Sequence, residues 1–195
     1  MRIINGVKGE KSMKGIILLA DGFEESEALI TVDLLRRGQI QIDLISMMNT
    51  KEVTSAHQIP VICDYLLNQI QIEEYQFLIL PGGAAVFQHL KEMKTLQKII
   101  DYFVTQNFLV AAICAAPILL GQWGYLKGKN YTCFKGCEQD SFLGHYLKDE
   151  NVVCDGSMIT AKSMYYTIDF AIAILQKLKG FQVAENILKQ IQSKE

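Results

Sequence analysis

The stretch VAAICAAP, residues 110–117, decides how this chain is read. An apolar run from Phe108 to Ala112 leads straight into Cys114, and two alanines and Pro117 open what the pattern predicts to be a helix. That is the layout of a nucleophile elbow, a tight strand-to-helix turn that lifts one side chain above a sheet. Ala112 and Ala116 sit two residues either side of Cys114, where larger side chains would collide as the backbone folds back. The following helix would aim its positive end at the sulfur and favour thiolate over thiol. The competing reading is a buried structural cysteine. The strand, small flanks, proline and a second loop described below together favour a reactive thiol.

Working outward, apolar runs alternate with amphipathic ones. Gly15 to Ala20 (GIILLA) reads as a fully buried strand, followed by a helix from about Glu24 to Arg37 that ends at Gly38. A second strand is expected over Ile40–Ser46, and two short β-prone pieces, a small excursion or hairpin, over Val53–Cys63. Phe77 to Leu80 is a third core strand, closed by Pro81-Gly82-Gly83. Helical periodicity covers Val86–Gln106, and a helix from Pro117 to about Trp123 follows the elbow. Short strands near Tyr131–Cys133, Val152–Cys154 and Met158–Ala161 precede helices over Tyr166–Leu178 and Val183–Gln192. Continuous apolar strands separated by helices predict a mostly parallel sheet covered on both faces. The expected fold is a flavodoxin-like, doubly wound α/β sandwich, whose sites form beyond the carboxyl ends of the strands. Three such ends carry unusual residues, namely DGFEESE, PGG and Cys114, and they should converge.

The composition agrees with this reading and excludes others. The 195 residues are half apolar and 21% charged, a globular balance, and their length favours one domain over residues 14–195. A net charge of −2 gives no reason to expect nucleic acid or a polybasic membrane patch. The longest apolar runs are strand-length, so no membrane span is expected. Residues 1–13 read as a polar, frayed leader without a signal-peptide core, and Met13 is an alternative start. Five cysteines, an odd number without a framework, point to reduced thiols in a cytoplasm.

The polar residues at the strand ends each admit two readings. Glu24, Glu25 and Glu27 can simply favour a helix N-terminus. Glu27, with Ala28 and Leu29 after it, is the one placed to turn towards the sheet top, where burial would raise its pKa and let it donate a proton. From spacing alone it has no clear advantage over its neighbours. PGG is either an ordinary turn or a place where Gly82 and Gly83 let amides approach a ligand; the Gly83 and Ala115 N–H groups would then form an oxyanion hole. The three histidines, His57, His89 and His145, read as surface or satisfied residues, with His89 the nearest candidate for the pocket. The lack of an evident base argues against acyl-transfer hydrolysis, and so against a protease or amidotransferase. Cys133 and Cys137 have a spacing seen in metal sites, but without a second pair no metal is expected. Cys133 is a possible pocket residue, while Cys63 and Cys154 read as core or strand-end cysteines.

GIILLADGFEESEAL, LILPGGA, VAAICAAP and DGSMITA, in this order and spacing, resemble the ThiJ/PfpI superfamily, in particular its parkinsonism-associated deglycase (DJ-one) branch with its bacterial members. The resemblance covers about Lys14 to Gly180. It implies a class I glutamine amidotransferase-like architecture, Cys114 as nucleophile, Glu27 as pocket acid, and the amides of Gly83 and Ala115 as oxyanion donors. It further implies no cofactor, a small 2-oxoaldehyde substrate or its adducts with amines and thiols, and a homodimer with the first helix and the excursion near Cys63 at its interface. The alternative it offers is a redox-responsive stress protein or holdase whose elbow cysteine is oxidised to a sulfinate. Two segments depart from the family pattern. Thr132-Cys133-Phe134 stands where many members carry a histidine, and Ala161 to Tyr166 replaces a glycine- and proline-rich pocket wall.

Overall fold

Along the chain run β1 (Lys14–Leu19), α1 (Glu25–Arg37), β2 (Gln41–Ser46), β3 (Glu52–Thr54), β4 (Pro60–Ile62), β5 (Tyr65–Leu66), β6 (Phe77–Leu80) and α2 (Lys94–Thr105). There follow β7 (Leu109–Ile113), α3 (Pro117–Gln122), β8 (Asn130–Tyr131), β9 (His145–Tyr146), β10 (Val152–Asp155), β11 (Met158–Ala161), α4 (Thr167–Lys179) and α5 (Phe181–Ile191). This computed structural model describes residues 13–193. The polar leader expected over residues 1–13 therefore lies, Met13 apart, outside the described residues.

Seven strands form one sheet in the order β10-β11-β7-β6-β1-β2-β5, parallel throughout except for β10, which runs antiparallel to β11. Its middle five strands, taken by their rank along the chain, follow the 2-1-3-4-5 order of the flavodoxin-like fold, so the strand order reverses between β1 and β6. β1, β6, β7 and β11 are almost wholly buried, as expected of strands covered on both faces. Their registers align the carboxyl ends: Ile17 pairs with Ile79, Leu80 with Ala112, and Ile113 with Ala161. Everything that follows these residues therefore emerges at one rim.

α1 starts and stops where side chains dictate. Glu24, in extended conformation, caps it by accepting the Glu27 N–H at 2.6 Å, and acids in the first turn with arginines in the last complement its dipole. α1 packs on α4, and α5 packs on α4 in turn, while α2 lies against β6 and β7. The fit is close: a Cβ at Gly38 would stand 2.4 Å from Leu175 Cδ2.

The expected helix over Val86–Gln106 is corrected. A π-helical turn covers Val86–Leu90, and Met93 adopts extended geometry before α2 begins. The broken turn is held by tertiary contact, since Gln122 Nε2 donates to the Lys91 carbonyl at 2.7 Å. The excursion is a β3–β4 hairpin, as expected. No helix among the described residues is long and apolar enough to cross a membrane.

Candidate active site

Cys114 follows β7 with φ 64°, in the left-handed region that side chains other than glycine rarely adopt. Hydrogen bonds hold it there. Its N–H donates to the Ala161 carbonyl at 2.9 Å, its carbonyl accepts the Phe134 N–H at 2.8 Å, and Ala116 N–H closes the turn on Ile113 at 3.0 Å. Strain of this kind costs about 1–3 kcal/mol and persists only where the surroundings impose it. The sulfur is left half-buried at the rim.

The three glutamates of DGFEESE have three different tasks. Glu24 is the helix cap. Glu25 meets His57, Oε1 to Nδ1, at 2.7 Å, and its side chain is only 12% exposed rather than facing solvent. Glu27 turns inward and is 0% exposed. Its Oε2 accepts the Gly82 N–H at 2.8 Å, whereas Oε1 is buried without a well-formed hydrogen bond. The Cys114 thiol interacts with this carboxyl. Burial pushes the Glu27 pKa up to about 7, against the pull of the Gly82 N–H and with a smaller push from Glu24.

The same environment corrects the expectation of a thiolate stabilised by the following helix. Burial, and after it the Glu27 carboxylate, pushes the Cys114 thiol well above its ordinary range, and the Ala115 N–H only partly offsets this. α3 has six residues. Removing a charged group from water outweighs so short a dipole. Thiol and acid thus form a coupled pair in which the acid ionises first.

Gly82 and Gly83 hold the pair together. A Cβ on Gly82 would lie 2.7 Å from Cys114 Cβ, 2.8 Å from Glu27 Oε2 and 3.1 Å from the Ala115 nitrogen. The bare backbone therefore forms the floor on which sulfur and carboxyl meet. Gly83 has φ 93° and bridges to Phe23, and its Cβ would stand 2.4 Å from the Gly22 carbonyl oxygen and 2.6 Å from the Glu24 nitrogen. Both contacts are backbone and cannot swing aside. Gly83→Ala is therefore expected to cost about 2–4 kcal/mol and to lower the thermal midpoint by roughly 5–15 °C. An unchanged midpoint in a thermal melt would contradict this packing.

Of the other candidates, Cys133 directly precedes Phe134, whose N–H donates to the Cys114 carbonyl at 2.8 Å. His89 is half-buried in the π-helical turn, and among the described residues no hydrogen bond or ion pair joins it to Cys114 or Glu27. Cys133 is 0% exposed, and its pKa is raised to about 12, by burial first and then by Cys137 and Glu138. Cys137, which spacing did not single out for the pocket, is joined to the elbow through Phe134, whose carbonyl accepts the Cys137 N–H at 2.9 Å. The five-residue run Cys133–Cys137 was the available signal. The segment replacing the family's pocket wall begins beside the elbow at Ala161, but Tyr165 stands 83% exposed, edge-on to Tyr166 at 5.0 Å.

Among the described residues, one group has donor atoms close enough for a metal ion: Glu24, Glu25 and His57, within 4.8 Å of one another. Its donors already serve as a cap and as a carboxylate–imidazole pair. A groove of about 480 Å³ at Met47, Met48, Leu66 and Leu67 contains no titratable group, so volume does not mark the chemistry here.

A five-stranded flavodoxin-like core with a strained cysteine at one strand end, and a buried acid and a glycine pair from two others, defines a nucleophile-elbow protein. The chain belongs to the DJ-1/PfpI family, which it matches over residues 13–177. It is 31% identical over 94% of its length to protein DJ-1 homolog B of Arabidopsis thaliana, and spans 42% of that protein. To the glutathione-independent glyoxalase DJR-1.2 of Caenorhabditis elegans it is 28% identical, over 90% of this chain and 94% of that one. A cysteine-to-alanine variant of a DJ-1 superfamily protein from Salmonella typhimurium superposes with a TM-score of 0.86 at 29% identity, covering 94% of this chain and 99% of the other.

Proposed function

We propose that the chain is a cofactor-free, cysteine-dependent enzyme acting on small 2-oxoaldehydes such as methylglyoxal, or on their early adducts with amines and thiols. One observation carries this reading: a buried carboxyl with one oxygen tied to Gly82 and the other buried without a well-formed hydrogen bond, beside a half-buried sulfur. The likeness to a protein named as a glutathione-independent glyoxalase supports the substrate class.

The Glu27 carboxylate accepts the thiol proton as the Cys114 sulfur bonds to the aldehyde carbon, C1. The carbonyl oxygen gathers that electron pair between the amides of Gly83 and Ala115, takes up a proton and completes a hemithioacetal. Glu27 then removes the C1 proton, giving an enediol, and returns a proton to C2. This leaves a thioester with a hydroxyl on C2. Water cleaves the thioester, freeing Cys114 and a 2-hydroxy acid, which from methylglyoxal is lactate.

An acid with a pKa near 7 suits this task, because it is both available as a base and able to give the proton back. Incubation with methylglyoxal in heavy water, without glutathione, is expected to yield lactate carrying deuterium at C2. Consumption without lactate would remove the proposal. kcat/KM is expected to rise about tenfold per pH unit up to about 7 and then level, because the thiol stays protonated beyond that point. A fall in rate as Glu27 ionises would contradict its role as base.

The substrate is thus a small carbonyl compound. The five cysteines, all free, suit a reducing compartment such as the cytoplasm. Self-association would use the exposed Leu29 on α1 with Ile59 and Ile62 on the hairpin, making the homodimer expected from the family. The second reading, a redox-responsive protein, is favoured by the sulfur's exposure at the rim next to an acid that can hydrogen-bond an oxidised form.

A further inference from the structure

Away from the sulfur and its acid, a cleft of about 410 Å³ opens between three segments of the chain. Asp21 and Gly22 of the β1–α1 loop form one wall, Ser55 and Gln58 of the β3–β4 turn a second, and Gln88 of the π-helical turn a third. The walls are tied to one another. Gly22 N–H donates to the Thr54 carbonyl at 2.7 Å, Thr54 N–H donates to Asp21 Oδ1 at 2.8 Å, and Ala85 N–H donates to the Gly22 carbonyl at 3.1 Å. Gln88 Oε1 lies over Gly22, 3.2 Å from where a Cβ on that residue would stand. The cleft is thus fixed by the fold itself.

Its lining carries charge of one sign. Asp21 is the only acidic or basic side chain that borders it, beside the carboxamides of Gln58 and Gln88. Asp21 Oδ1 accepts the Thr54 N–H, while Oδ2 has no hydrogen-bond partner and the carboxylate no ion pair among the described residues. His57, between Ala56 and Gln58 in the chain, is engaged by Glu25 at 2.7 Å instead. We propose that this cleft binds a small planar organic cation, a guanidinium group, whose N–H donors are shared between the Asp21 carboxylate and the side-chain oxygens of Gln58 and Gln88. The proposal stands apart from the aldehyde reading and does not need it.

The donor inventory selects this class of ligand. A carboxylate facing a cleft without a countercharge favours a cation that can hydrogen-bond it. A guanidinium offers five N–H donors in one plane and gives up water more readily than an ammonium. Acceptors spread over facing walls therefore suit it better than a compact point charge. One carboxylate among neutral oxygens supplies too little negative charge to hold a dehydrated divalent ion. The volume falls within the roughly 300–1,000 Å³ of small-molecule sites. Ala84, the residue after Gly83, also borders the cleft, so an occupant would touch the segment that carries one of the proposed oxyanion amides.

The test titrates the intact, isotope-labelled chain with methylguanidinium at constant ionic strength and follows backbone amide shifts by NMR. The expected result is saturable shifts at Gly22, Thr54, Ala56 and Ala84 with a Kd of about 1 mM. Methylurea keeps the planar shape without the charge, and tetramethylammonium keeps the charge without donors. Each should bind roughly tenfold more weakly or worse. Asp21→Asn retains an oxygen for the Thr54 N–H, so its spectrum stays that of the folded chain, while its affinity for methylguanidinium falls roughly tenfold. Gln88→Ala, at an exposed position, weakens binding a few-fold. Shifts that fail to saturate, that scatter over other acidic surfaces, that tetramethylammonium reproduces, or that persist unchanged in Asp21→Asn overturn the proposal.

Discussion

Cys114→Ser is expected to lower methylglyoxal turnover by roughly 10³-fold or more. The exchange keeps the shape of the elbow, so every backbone bond that fixes φ 64° at this position survives. What changes is the attacking atom. A hydroxyl holds its proton far more tightly than a thiol, and a base with a pKa of about 7 cannot remove it to any useful extent. Sulfur is also the softer and intrinsically stronger nucleophile. The thermal midpoint should stay within a few degrees of wild type, as for a near-isosteric change at a half-buried site. Lactate formation by Cys114→Ser at the wild-type rate would take the nucleophile out of the mechanism.

Glu27→Gln is expected to lower kcat/KM about 10²–10⁴-fold, the range for losing one positioned acid–base group. The amide is close in volume, and its oxygen can still accept the Gly82 N–H that Glu27 receives at 2.8 Å. The loss should therefore appear in turnover and in the pH profile, whose rise towards pH 7 disappears. Stability should respond in the opposite sense. The Glu27 pKa is 4.5 in its ordinary setting and about 7 in the folded chain. Below pH 4.5 the carboxyl is protonated in both states and folding pays no penalty. Between 4.5 and 7 the unfolded chain releases the proton while the folded chain retains it, so wild-type stability falls by about 3 kcal/mol. Gln cannot ionise, and its advantage over Glu should grow across that window and then stay constant. Denaturant midpoints measured from pH 4 to 8 would show this. Parallel pH curves for the two proteins would mean that Glu27 titrates normally.

The reading of the sheet succeeded where burial leaves only one pattern. Phe77–Leu80 and Met158–Ala161 are strands over the expected residues, because continuous apolar runs closed by proline, glycine or a change of polarity have no other comfortable place. β5 and β9, two residues each, escaped notice, since their pairing depends on the strand alongside rather than on their own side chains. The interruption of Val86–Gln106 has the same origin. Apolar periodicity continues through it, and the break is anchored by a hydrogen bond from Gln122, 31 residues away in the chain.

At the site, residue types were legible and their states were not. A strand, a cysteine, two alanines and a proline, with the PGG loop expected beside them, favour an elbow, because only small neighbours allow the backbone to fold back so sharply. Sequence alone also placed the three loops at one rim through the alternation of strands and helices. Spacing alone could not separate Glu27 from Glu24 and Glu25, since all three suit a helix start, and only the family resemblance singled it out. The Gly82 amide, 55 residues away in the chain, makes that distinction. Nor could it set the proton on the sulfur. The dipole of a following helix is a local, readable feature, whereas desolvation depends on every atom that surrounds the thiol. Desolvation is the larger effect here, and only the assembled structure contains it.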